Sequence, residues 1–247
     1  MIGSIREMER DDVQDACKLT ESEEWGFDEN DFNRILDLFP RGSFVAEQDG
    51  KIIGLVTTSS YDVTGWIGNV LVDAENRLGG LGSALVKRAI AHLEEKQIRS
   101  VLLYSYKGLE DFYRALGFRP LDGLAAFRGL IRATSRRTRT DVMQLNDMPD
   151  VFRLDRYSFG DDRSKLLSRL QAEFPDACHV LKSQNDVVGY SMVQFSEGLT
   201  NIGPVICIGP RCEALLFESI GLVLAGREAF LATQRGRNDA LFLELGM

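Results

Sequence analysis

Apolar residues along the first half of the chain switch repeatedly between a helical and a strand-like rhythm. Asp11 to Leu19 and Asp28 to Phe39 carry them at helical spacing, and the second segment opens on an aspartate N-cap and stops before Pro40. Two β-type runs follow, Ser43 to Gln48 and Lys51 to Ser60. They flank Asp49-Gly50, a pair that supplies the positive φ angles of a tight hairpin. Trp66 to Val72 is dense in isoleucine, leucine and valine. After a glycine-rich bend, Leu81, Ala84, Leu85, Ala89 and Leu93 place one apolar stripe on a helix running to about Gln97, which predicts packing on a sheet. His92 falls on the predicted polar side of that helix. Ser100 to Tyr104 reads as a strand, Leu109 to Leu116 as a short helix stopped by Gly117, and Ala125 to Gly129 as the closing strand of the first sheet.

Between Leu130 and Thr140 the apolar content drops, and Arg132, Arg136, Arg137 and Arg139 stand among serine and threonine as in a solvated linker. Beyond it the order of elements repeats. Asp147 to Tyr157 and Ser164 to Phe174 match the two early helices, and Cys178 to Ser183 and Val187 to Phe195 match the hairpin, now turning at Asn185-Asp186. Asn201 to Ile206 matches the next strand; Glu213 to Leu224, Glu228 to Thr233 and Asn238 to Leu245 stand where the long helix, the short strand and the short helix stood. The predicted chain is α/β with mixed sheets, divided as 1–130, an Arg-rich linker 131–140, and 141–247. No residues remain to close the second sheet, so it is left open or completed by another segment.

Composition narrows the function classes. The 247 residues are 44% hydrophobic and 27% charged, which suits globular domains, and the formal net charge of −8 argues against a protein that grips nucleic acid phosphate. Met1 to Glu7 turns charged at once and no apolar run reaches spanning length, so a cytoplasmic protein without a membrane segment is expected. Cys17, Cys178, Cys207 and Cys212 form no CxxC pair, and only His92 and His179 could join them, so no metal site is expected.

The chemistry concentrates in Val70-Leu71-Val72-Asp73-Ala74-Glu75-Asn76-Arg77-Leu78-Gly79-Gly80-Leu81-Gly82-Ser83, a strand, a loop and a helix start. Gly79, Gly80 and Gly82 remove Cβ atoms that would hold a phosphate away. The unpaired N–H groups and the dipole of the first helical turn favour an anion at the same place. A Walker loop is excluded because Gly82 is followed by Ser83 and Ala84 rather than by lysine. A dinucleotide loop is excluded because Leu85 stands where its third glycine is required.

The remaining pattern, Arg77-x-x-Gly80-x-Gly82 after an apolar strand, resembles the acetyl-CoA loop of the GNAT superfamily of N-acetyltransferases. Asp111-Phe112-Tyr113-Arg114-Ala115-Leu116-Gly117-Phe118, one strand later, resembles the family's Phe-Tyr-x-x-x-Gly-Phe segment. The resemblance implies a mixed sheet splayed between its fourth and fifth strands, with acetyl-CoA in the gap and no metal. It implies that Val70, Leu71 and Val72 run beside the pantetheine arm and that Arg77, Leu78, Gly79, Gly80, Leu81, Gly82 and Ser83 cradle the pyrophosphate. Tyr113 is implied as the general acid that protonates the departing thiolate, with Phe112 and Leu116 supplying the core contacts of its helix. Many members carry asparagine where this chain has Tyr106, and the fourth strand offers no carboxylate as a base.

Glu23, Glu24 and Trp25 fall on the implied acceptor side, where they would attract an ammonium group, or form a solvated acidic loop. The second half lacks the glycine loop, with Gly209-Pro210-Arg211-Cys212 in its place, and has Phe242-Leu243 at the place of Phe112-Tyr113. It resembles a degenerate second GNAT domain. The expected activity is acetyl transfer from acetyl-CoA to a small-molecule primary amine by a monomer or homodimer. The rival is an acyl-CoA-binding regulatory module without turnover.

Overall fold

Asp49 and Gly50, at φ 52° and 76°, close the predicted hairpin, which lies inside a five-stranded sheet. The computed structural model describes residues 4–121, 123–132, 139–209, 212–234 and 239–247, so Arg136 and Arg137 of the predicted linker lie outside the described residues. The chain divides into two units, Met1–Leu121 and Asp122–Met247.

The first unit runs β1 (Ser4–Glu7), α1 (Val13–Glu21), α2 (Glu29–Leu38), β2 (Ser43–Gln48), β3 (Lys51–Ser60), β4 (Thr64–Val72), α3 (Leu81–Glu95), β5 (Ser100–Leu103) and α4 (Glu110–Ala115). Its sheet order is β1-β2-β3-β4-β5, antiparallel except for the β4–β5 pair. Side chains alternate across the pleat. Phe44, Ala46, Val56 and Ile67 meet Leu85, Ala89 and Leu93 of α3, while Val45, Leu55 and Leu71 meet Val13, Ala16 and Phe32 of α1 and α2. Leu85 and Leu93 are fully buried, and burial at this level contributes about 1.5–3 kcal/mol per leucine. Asp28 caps α2 as predicted, accepting the Asp31 N–H at 3.0 Å. The sequence pattern missed β1, because Ile5 is its one strong apolar residue; Arg6 anchors it through Glu47 and Asp12.

His92 corrects the prediction that it is solvated. It is buried on α3, its ring 5.5 Å from that of Phe44, and its Nε2 has no hydrogen-bond partner. The residue lies one helical repeat beyond Leu85 and beside Leu93, so a helix packed broadly on a sheet takes it inside.

The second unit runs β6 (Leu124–Leu130), β7 (Asp141–Val142), α5 (Met148–Phe159), α6 (Ser164–Glu173), β8 (Cys178–Ser183), β9 (Asp186–Gln194), β10 (Thr200–Cys207), α7 (Cys212–Val223), β11 (Glu228–Gln234) and α8 (Asp239–Glu244). Its sheet order is β6-β11-β10-β9-β8-β7. From β7 onward it repeats the first unit element for element. β6 overturns a prediction: the strand expected to close the first sheet pairs with β11 from Leu124↔Gln234 to Leu130↔Glu228. Phe127 accounts for the choice physically, since its ring packs on Phe242 at 4.8 Å within the second unit's core, and Arg128 pairs with Glu228 at 2.9 Å. The first unit therefore keeps residues only to Leu121, and the second sheet is completed by a segment preceding it in sequence. Among the described residues no helix is long and apolar enough to cross a membrane.

Candidate functional site

β4 pairs with β5 only from Thr64↔Ser100 to Ile67↔Leu103. Past that point β5 has ended while β4 continues to Val72, still paired to β3 through a bulge at Asn69, whose φ is 48°. The β5-side edge of residues 68–72, which includes Val70, Leu71 and Val72, thus has no strand partner among the described residues. Val72 and Leu71 are buried and Val70 is half-buried, so the strand is held firmly while one backbone edge stays open.

The loop leaving β4 carries its conformational demands at Leu78 and Gly80, at φ 66° and 81°. Leu78 is fully exposed. Gly80 is the N-cap of α3 and provides no side chain, so the first-turn N–H groups of Leu81, Gly82 and Ser83 carry no side-chain cap. The three glycines differ. A Cβ at Gly80 would meet nothing within 4 Å, and one at Gly79 would meet only the Asn76 carbonyl at 3.9 Å. A Cβ at Gly82 would instead touch Phe112 Cζ and Val72 Cγ2, each at 3.7 Å. Gly79 and Gly80 therefore leave open space in front of the helix, whereas Gly82 lets the helix start pack close to α4.

Arg77 is anchored at both ends of its guanidinium. Its Nε donates to the Val72 carbonyl at 2.9 Å, and its Nη2 donates to the Glu23 carboxylate. The fold thus brings Glu23, predicted on the acceptor side, onto the glycine loop, where it is held in an ion pair and is not an unengaged anion. Glu24, at φ 55°, is exposed on the same turn. Trp25 packs against the α1–α2 cluster with its ring 6.5 Å from Tyr106. A second aromatic pair, Trp66 and Tyr104, lies at 4.9 Å. Ile67 faces α3, so Trp66 points to the α1–α2 face. Tyr104 and Tyr106 are both 65% exposed. The sequence assigns Tyr104 to the end of a strand, which stops at Leu103, and marks Tyr106 only as a departure from the family pattern, so it gives neither tyrosine a place at the site.

Tyr113 shares its cluster with Val72, Leu81 and Leu85, and with Val70, Leu103 and Phe112 at the cluster's edge. Its ring lies 4.9 Å from Phe112 and 5.9 Å from Phe118. The core residue of α4 is Tyr113 itself, not Phe112 or Leu116, which are only partly buried. Among the described residues its hydroxyl has no hydrogen-bond partner. Burial pushes the phenol above its ordinary value of 10.0, so it remains protonated. Among the described residues no group of His, Cys, Asp or Glu is arranged to hold a metal ion.

In the second unit the counterpart of Tyr113 is Phe242, not Leu243 as the sequence predicts. Phe242 is fourth in α8, as Tyr113 is fourth in α4. The Phe118 N–H donates to the Tyr113 carbonyl at 3.1 Å and the Met247 N–H to the Phe242 carbonyl at 3.0 Å. Gly117 and Gly246 stand at φ 93° and 96°. Leu241-Phe242-Leu243-Glu244-Leu245-Gly246-Met247 is thus the second copy of the segment, with a phenyl ring where the first has a phenol. Gly246 was the available signal. In sequence, four residues separate β10 from α7, with Pro210 and Arg211 outside the described residues, against eight between β4 and α3.

Comparison with known proteins agrees with this duplication. The family model described as Acetyltransferase (GNAT) family matches residues 5–118, and one described as Acetyltransferase (GNAT) domain matches residues 151–240. The chloroplastic GCN5-related N-acetyltransferase 2 of Arabidopsis thaliana is 37% identical over 73 residues, covering 29% of this chain and 28% of that protein. An uncharacterized N-acetyltransferase of Methanocaldococcus jannaschii is 28% identical over 139 residues, covering 47% of this chain and 60% of that protein. The chain therefore spans less than two thirds of either relative. A crystal structure from Pyrococcus horikoshii, described as an acetyltransferase, superposes with a TM-score of 0.78 at 21% identity, covering 98% of this chain and 82% of that one. A GCN5-related N-acetyltransferase from Sphaerobacter thermophilus superposes at 0.71 with 13% identity, covering 98% and 90%. At such identities the likeness is one of fold.

Proposed function

As the chain belongs to the GNAT acetyltransferase family, we propose that its first unit is an N-acetyltransferase acting from acetyl-CoA onto a primary amine. The observation that carries the reading is the open edge of β4 beside the uncapped start of α3, with Tyr113 in the same cluster. Acetyl-CoA, when bound, supplies the acyl group as a thioester. Val70 and Val72, flanking Leu71, offer backbone groups of the open edge to its pantetheine arm, the Val72 carbonyl already accepting from Arg77 Nε. The N–H groups from Gly79 to Ser83, with Arg77, suit its pyrophosphate, and the open space at Gly79 and Gly80 fits a group of that size.

Tyr113 holds a proton on Oη and delivers it to the departing sulfur, a role that burial supports by keeping the phenol neutral. The amine approaches from the α1–α2 face, where Trp25, Tyr106 and Glu24 offer aromatic faces and negative charge to an ammonium group. β4 carries no acidic side chain, so we assign removal of the amine's proton to water. The second unit serves as a non-catalytic copy, a reading supported by Phe242 and by its shortened connection.

Release of free thiol from acetyl-CoA, followed across a panel of arylalkylamines, polyamines, amino sugars and peptides with free N-termini, tests the proposal. Amine-dependent release is expected, at one acetyl-CoA bound per chain. Tight binding without release on any amine would replace the enzyme with an acyl-CoA-binding module.

A further inference from the structure

Two of the four cysteines, Cys207 and Cys212, meet in space. Cys207 ends β10, and its cross-strand neighbour is Gly189 on β9, so the side-chain positions of these residues share a face of the sheet. A Cβ built on Gly189 would lie 2.3 Å from Cys212 Sγ and 3.1 Å from Cys207 Cβ. The sulfur of Cys212, at the start of α7, thus fills the space that the glycine leaves and stands beside Cys207. The Cys212 thiol interacts with the Cys207 side chain beside it and donates to the Val188 carbonyl at 3.5 Å.

The first unit has the same architecture there. Gly54 lies under the start of α3, opposite Val72 and near Leu85, with Leu81 opening the helix. Close packing of a helix start on a glycine is therefore common to both units; a thiol on each side of it is particular to the second. Cys17 is on α1 of the first unit, and Cys178 is buried in the cluster formed with α5 and α6.

We propose that Cys207 and Cys212 are a disulfide-forming pair, oxidised by hydroperoxides and restored by dithiols. Cys207 is half-buried and Cys212 only 5% exposed, so the oxidant reaches Cys207 first. Its thiolate takes one oxygen from the peroxide, giving a sulfenic acid and hydroxide. The Cys212 sulfur then attacks the Cys207 sulfur, the S–O bond breaks, and the oxygen leaves as water. In sum, two thiols and one hydrogen peroxide give one disulfide and two waters. The bond ties the end of β10 to the start of α7 across the shortened connection.

The test uses the full chain, reduced and then exposed to hydrogen peroxide, with denaturing alkylation and intact-mass analysis. The expected product has lost two hydrogens and two of its four alkylatable thiols, yields a peptide containing the Cys207–Cys212 cross-link, and returns to the starting mass with dithiothreitol. Cys207→Ser and Cys212→Ser are each expected to abolish the cross-link, whereas Cys17→Ser and Cys178→Ser leave it. Four thiols still alkylated after peroxide, a cross-link to a different cysteine, or only sulfinic acid on Cys207 would overturn the proposal. The peptide map on the unmodified protein decides the matter even where a serine variant folds poorly.

Discussion

Glu23 and Arg77, 54 residues apart in sequence, form an ion pair that joins the α1–α2 turn to the glycine loop ahead of α3. The side chains are 32% and 46% exposed, so the pair contributes about 0.2–1 kcal/mol. In the proposed enzyme an incoming pyrophosphate competes with Glu23 for the same guanidinium. Glu23→Gln is expected to tighten acetyl-CoA binding by up to about fivefold, measured by calorimetry. Weaker binding in the variant would mean that Glu23 holds Arg77 in its binding pose.

Tyr113→Phe removes one hydroxyl and keeps a ring that Phe242 occupies at the equivalent place of the second unit. Melting temperature and acetyl-CoA affinity are expected to change little, while kcat falls by roughly 10²–10⁴-fold. In the proposed reaction Tyr113 acts in its protonated form, and burial raises its pKa. Any alkaline loss of kcat governed by Tyr113 therefore falls above pH 10.0, read from a pH–rate profile.

Gly80 and Gly82 are expected to respond differently to alanine. Gly80→Ala forces a side chain onto φ 81° and into the open space before α3. It should cost about 1–2 kcal/mol of stability and raise the KM for acetyl-CoA by on the order of tenfold. Gly82→Ala makes only ordinary contacts with Phe112 and Val72 inside a helix. Its melting temperature should hold or rise, since alanine gains about 0.5–1 kcal/mol over glycine there, and the KM for acetyl-CoA should change little.

His92 makes stability depend on pH. Burial, with Arg88 and Lys96 nearby outweighing Glu95 and Glu7, holds its imidazole below the ordinary value of 6.5. A group whose value is depressed on folding contributes stability that is present above 6.5 and lost as pH falls below it. Thermal unfolding between pH 8 and pH 5 should show a larger drop for the natural protein than for His92→Gln. Equal drops would place the acid sensitivity elsewhere, His179 of the second unit being the first alternative.

Phe127→Ala should destabilise the second sheet alone. Removing a partly buried ring from the Phe242 contact costs about 2–4 kcal/mol. Hydrogen exchange is expected to speed up in β6 and β11 and to stay unchanged in β1 to β5.

Local order was legible in the chain because it depends on near neighbours. The rhythm of apolar positions marked the long helix and the strands, Asp49-Gly50 marked a hairpin, and Arg77-x-x-Gly80-x-Gly82 with Tyr113 one strand later marked the candidate site. Tertiary structure decided what pairing between distant residues decides. β6 carries no sequence mark for one sheet over the other; Phe127 meeting Phe242 chooses it. Helical spacing alone did not say how broadly α3 packs, so His92 was misplaced. The Glu23–Arg77 pair, the meeting of Cys207 and Cys212 over Gly189, and the correspondence of Phe242 with Tyr113 arise only once the strands are in register. Each depends on the fold bringing together side chains that no local pattern connects.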